Sequence, residues 1–125
     1  MISSSYNEKE EIVYVKREGT VSIQQILEST VELDSLYGHM DKVYIIEDIR
    51  GSKSLFNKED YPTILELLRT KLRAYKMVCM ADIVDDPTNT ALSFMFGSLA
   101  ASLDNYFYST FSTLEAAKRW INNHR

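Results

Sequence analysis

Three features of the chain point to an α/β domain built on a mixed sheet. Residues near the N-terminus alternate in the manner of an antiparallel hairpin, and two later stretches, KVYIIEDI and KMVCMADIV, are almost continuously apolar over strand length. Between and after them, apolar residues recur at helical spacing. Strands joined through helices form right-handed parallel crossovers. The expected product is therefore a mixed β-sheet, an N-terminal antiparallel hairpin plus parallel strands, with about four flanking α-helices.

Taken in order, residues 2–6 and 12–18 are the hairpin strands and residues 7–10 its polar turn. In the second strand Val13, Val15 and Arg17 share one face, and Ile12, Tyr14, Lys16 and Glu18 the other. Ser22 is the expected N-cap of a helix whose stripe is Ile23, Ile26, Leu27, Thr30, Leu33 and Tyr37, with Gly38 placed to end it. After KVYIIEDI a second helix begins between Asn57 and Tyr61. Glu59 or Asp60 is its cap, Pro62 lies in its first turn, and its stripe is Tyr61, Ile64, Leu65, Leu68, Leu72 and Tyr75. KMVCMADIV is the expected central strand. Asp86 caps a third helix that has Pro87 at its first position and runs to about Ser102. NYFYSTF is the last strand, and Ser112 and Glu115 form an S-x-x-E capping box for the last helix.

At 125 residues the chain is expected to form one domain over its whole length. No stretch approaches the roughly 18 consecutive apolar residues of a membrane span. The opening MISSSYNEKEE lacks the basic and apolar regions of a secretory signal, so a cytoplasmic setting is expected. The single cysteine, Cys79, agrees with this; its apolar neighbours make it a buried strand residue, not a reactive thiol. The net charge is −4 and no Lys/Arg cluster is interleaved with aromatics, which argues against nucleic acid and against docking on anionic lipid.

Ligands collect at the carboxyl ends of parallel strands. Two acidic groups are expected there: Glu47 and Asp48 after one strand, and Asp82, Asp85 and Asp86 after the next. Adjacent strands lie about 5 Å apart, so carboxylates from both could converge on a divalent ion. Against this, Asp86 and Asp85 suit a helix start and Asp48 suits pairing with Arg50, and no phosphate-binding loop accompanies them. No metal, cofactor or catalytic residue is therefore expected. His39 and His124 read as structural or surface residues. The third helix is apolar on more than one side, since Ala91, Leu92, Phe94, Met95, Phe96, Leu99 and Leu103 cannot share one stripe. Its cover is the last helix through Trp120, a second subunit in a symmetric homodimer, a lipid-like ligand or a membrane.

The stretches EIVYVKREGTVS, YIIEDIRG, MADIVDDPTNTALSFMFGSL and YFYSTFSTLEAAKRWI resemble the SpoIIAA-like family, bacterial proteins related to STAS domains. The resemblance implies a STAS-like sheet flanked by helices, and functions that run from regulatory protein–protein contact to binding of apolar small molecules or lipid. Anti-sigma-factor antagonists of this type carry a phosphorylatable Ser in an Asp-Ser-Ser/Gly loop after the middle strand. The loop here reads RGSKSLFNKEDYP, which places Ser52 and Ser54 outside that motif. The expected function is a non-catalytic binding or regulatory module, acting on a protein partner through the third helix and the loops after Asp48 and Val84. Its expected binding residues are Asp48, Arg50, Ser52, Ser54, Asp85, Phe94, Met95, Phe96 and Trp120. The alternatives are an enzyme using Asp48 with Asp82, Asp85 or Asp86 around a divalent ion, and a carrier with an apolar pocket lined by Phe94, Met95 and Trp120.

Overall fold

The computed structural model describes residues 1–125. The strands are β1 (Ile2–Asn7), β2 (Ile12–Arg17), β3 (Thr20–Val21), β4 (Lys42–Asp48), β5 (Lys53–Ser54), β6 (Met77–Ile83) and β7 (Tyr106–Phe111). The helices are α1 (Ile23–Tyr37), α2 (Tyr61–Leu72), α3 (Pro87–Ala100) and α4 (Leu114–Asn123), with a 3₁₀ turn at Lys58–Asp60 leading into α2. Five strands make the main sheet in the order β1-β2-β4-β6-β7. The β1–β2 pair is antiparallel and the remaining pairs are parallel, so the expected mixed sheet with four helices is the one found.

The parallel strands advance across the sheet in one direction, from β2 to β4, β6 and β7. Right-handed crossovers then force α1, α2 and α3 onto the same face. That face carries Val13, Val15, Val43, Ile45 and Val78, packed against Leu33, Leu68, Leu72, Phe96 and Ala100 of the three helices. Only α4, which follows the last strand, is free to cover the opposite face. There Ala117 and Ile121 pack on Ile12, Tyr44, Ile46, Cys79, Ala81 and Ile83.

Local chemistry explains most of the boundaries. Ser22 and Gln25 form a reciprocal capping box at α1. Asp86 accepts the Asn89 N–H at the start of α3, with Pro87 in the first helical position as expected. Three details differ from expectation. Asp60 does not cap α2 but reaches back to the Asn57 N–H, because the 3₁₀ turn precedes the helix. The cap of α4 is Thr113, not Ser112. Pairing of β6 with β7 continues through Phe111, so Ser112 is needed to leave the sheet and the helix starts one residue later. The two-residue strands β3 and β5 pair in parallel as a separate small sheet, which strand-length periodicity could not reveal.

Candidate functional site

The three strands β2, β4 and β6 end in the same pattern. Their residues facing α1–α3 read Val13-x-Val15-x-Arg17, Val43-x-Ile45-x-Glu47 and Val78-x-Met80-x-Asp82. Each strand thus brings two apolar side chains and then one charged side chain to the same face. Register places Glu47 directly beside Asp82. Arg17 reaches Glu47 through a two-pronged contact, Nε to Oε2 at 3.0 Å and Nη2 to Oε1 at 2.9 Å. This fork-to-carboxylate geometry is the strongest form of the pair. None of the three is a surface group: the side chains of Arg17 and Glu47 are 13% and 7% exposed, and Asp82 is 3% exposed.

From β7, the Tyr108 hydroxyl donates a hydrogen bond to Asp82 Oδ2. Asp82 Oδ1 is buried and has no donor. Two carboxylates cannot hydrogen-bond each other while both are ionised, so Glu47 can serve Oδ1 only when the pair shares a proton. Burial, followed by the neighbouring Glu47 charge, pushes the Asp82 carboxyl well above the usual carboxylate range; Arg17 and the Tyr108 hydroxyl oppose the shift only in part. Burial also raises the Tyr106 and Tyr108 phenols, keeping both neutral donors.

These groups line a cavity of about 80 Å³ between the sheet and α1, α2 and α3. Its aromatic wall is Phe96, whose ring centroid lies 5.7 Å from Tyr61 and 5.2 Å from Tyr108 in edge-on contacts. Its polar wall continues through Ser54, which donates to Asn89 Oδ1 at 2.9 Å, and through Asn89, which donates to the Ser52 carbonyl at 3.0 Å. A second cavity of about 70 Å³, walled almost wholly by apolar groups, runs between α1, α2 and the sheet. The two share Thr30, Leu33, Leu68, Met80 and Tyr106 as lining residues.

Among solved structures, the chain is similar to an uncharacterized protein of the DUF3478 family from Shewanella loihica, described as having a SpoIIAA-like fold. The likeness has a TM-score of 0.64 and covers 97% of this chain and 92% of that one, at 15% sequence identity. The fold is SpoIIAA-like. No family model matches the sequence, and no curated protein matches it. At this identity the likeness carries the fold alone.

Within the SpoIIAA-like frame, the residues singled out from sequence divide into groups. Ser54 and Phe96 line the cavity, and Ser52 supports it by accepting from Asn89. Asp48 follows Glu47 and so points to the opposite face, where it holds Arg50 at 3.0 Å and Lys16 at 3.3 Å. The hydrogen bonds from Arg50 hold its carboxyl below the usual range. Asp85 accepts from the Gly51 N–H, and Asp86 is used as the α3 cap. Of the carboxylates at these strand ends Glu47 and Asp82 do meet, whereas Asp48 and Asp82 lie on opposite faces, and no group of three or more His, Cys, Asp or Glu is placed to hold a metal ion. The pocket expected from Phe94, Met95 and Trp120 is likewise not formed. Phe94 and Met95 are 62% and 39% exposed, whereas Trp120 packs on Phe111 and His124 on the α4 face. Sequence reasoning did not assemble Arg17, Glu47, Asp82 and Tyr108 as one cluster. The available signal was the shared apolar-x-apolar-x-charged ending of three strands, each charge two residues past a core position.

Proposed function

We propose that the protein is a non-catalytic binding module of STAS-like type, and that its ligand is a small molecule with a polar head and an apolar body. The observation that carries this reading is the pair of adjoining cavities, one polar around Asp82 and one apolar between α1 and α2, with a common wall. Ligand sites are concave, mostly apolar and fitted with a few placed polar groups, and they sit at the carboxyl ends of parallel strands. Leu68→Trp, which fills the common wall, tests it. Straight-chain amphiphiles of four to six carbons should raise the melting temperature of the wild type and not that of the filled variant; equal responses would refute the reading.

A second reading, regulatory contact with a second copy of the chain, is favoured by the outer face of α3, where Phe94, Met95 and Leu99 are exposed side by side. Phe96 faces inward, so Phe94→Glu is the substitution that probes this face. A dimer by light scattering that dissociates in the variant would support the contact, and a wild-type monomer at all concentrations would end it.

A further inference from the structure

We propose that the head group seated in the polar cavity is a compact organic cation, a primary ammonium, bound at Asp82 in exchange for a proton. The inference rests on the binding reading above and names its ligand class. Its first support is charge. Arg17, Glu47 and Asp82 bring one cation and two carboxylates into one buried cluster, and both prongs of Arg17 are committed to Glu47. One negative charge is left without a protein partner. The second support is the Asp82 Oδ1 atom, buried, lacking any donor, and belonging to a residue that lines the cavity. The third is the wall itself: Phe96, Tyr61, Tyr106 and Tyr108 are aromatic, and aromatic walls attract cations through their ring faces.

The groups facing Asp82 decide what the exchange looks like. Arg17 comes from β2, Glu47 from β4, Tyr106 and Tyr108 from β7, and Tyr61 from α2; α1 and α3 contribute uncharged side chains only. The tyrosines stay neutral. With the cavity empty, a proton on Asp82 balances the charge and supplies the missing hydrogen bond. When an ammonium enters, one of its N–H bonds takes the place of that O–H bond, and the proton leaves to solvent. The net charge of the site is unchanged, so burial does not oppose the exchange as it would oppose adding a bare ion. Size fits a slender ligand. An apolar cavity of about 150 Å³ holds benzene, and the polar cavity here is about 80 Å³ with the apolar one of about 70 Å³ beside it.

Butylamine and 1-butanol test the assignment, because they have the same length and differ in the charge of the head. Isothermal titration of the full chain between pH 6 and 8, in buffers of different ionisation enthalpy, reads affinity and proton release together. Butylamine remains an ammonium across this range, as a lysine side chain does with its value of about 10.4. Its affinity should exceed that of butanol about tenfold or more at pH 8. It should also rise by up to about tenfold per pH unit, with up to one proton released per amine, while butanol binding stays flat. Asp82→Asn should erase the preference; the wild-type comparison stands whether or not that variant folds. Equal affinities, or an amine affinity that does not rise with pH, overturn the cation assignment and leave the cavity reading standing. Failure of both probes to bind overturns both.

Discussion

Replacing Asp82 with Asn should change the pH dependence of stability in a direction fixed by the proton count. In an unfolded chain Asp82 releases its proton near pH 3.9. Folded, burial and the adjacent Glu47 hold that proton to a higher pH. Below about 3.9 both states carry the proton and the burial of Asp82 has no electrostatic penalty. Above it, the unfolded state has lost a proton that the folded state still binds, so stability falls as pH rises until the folded value is passed. One proton corresponds to about 1.4 kcal/mol per pH unit. For a chain of 125 residues the unfolding entropy is about 0.26 kcal/mol/K, so the slope corresponds to about 5 °C in Tm per pH unit. Asn keeps the shape, accepts from the Tyr108 hydroxyl and offers an N–H toward Glu47 without a titrating proton. Urea denaturation of the two proteins at half-unit steps from pH 4.5 to 8 isolates the effect, because every other group is common to both. The variant should gain on the wild type by about 1.4 kcal/mol per unit from the low end of the range. Parallel profiles would mean that Asp82 ionises as freely in the fold as in water, and would refute the account of the site.

Arg17→Met should destabilise by about 3–5 kcal/mol, since it leaves Glu47 buried without its partner, and the double variant Arg17→Met with Glu47→Leu should recover most of that in chemical denaturation. Gly97→Ala should destabilise by about 1 kcal/mol despite the better helix propensity of Ala. A Cβ there would meet the Tyr108 ring at 3.0 Å, and Tyr108 is fixed by Asp82 and Phe96, so the overpacking exceeds the gain of about 1 kcal/mol; a raised urea midpoint would contradict this. Cys79 is fully buried and burial pushes its thiol up to about 11, so a thiol reagent at pH 8 should label it only at the rate of unfolding, and prompt labelling of the native protein would show the α4 face to be open.

The fold was legible because each element of the main sheet and each helix carried its own signal, unlike the two-residue strands β3 and β5. The alternation of β2, the apolar runs of β4 and β6, the caps Ser22 and Asp86 and the order of strands through helices are local properties of the chain. The site was legible only in part, because it depends on which face a residue takes and on which strands are neighbours. Asp48 and Asp82 look like partners in sequence, each at a strand exit, yet a single-residue offset sends them to opposite sides. Glu47 looks like a residue at the fraying end of a strand, and only the β2–β4–β6 order sets it between Arg17 and Asp82. Trp120 and Phe94 failed as a pocket because the handedness of the crossovers separates α3 from α4 by the thickness of the sheet.

The lid over the cluster is the strongest reason to treat it as more than the end of three strands. Charged residues that merely finish strands are normally solvated, and burying each ion has an effective penalty of several kcal/mol. Here β3 pairs with β5, and Val21, Ile26, Tyr61 and Ile64 form a separate apolar cluster with Phe56 beside it. Ile26, Tyr61, Ile64 and Phe56 also line the Arg17–Glu47–Asp82 cavity, and the Arg17 guanidinium lies 6.0 Å from the Phe56 ring centre. A chain selected for stability alone would do better to leave these ends open or to make the third inward position apolar like the first two. Keeping one arginine, two carboxylates and a cavity beneath a dedicated cover makes sense if something besides water has to reach Asp82.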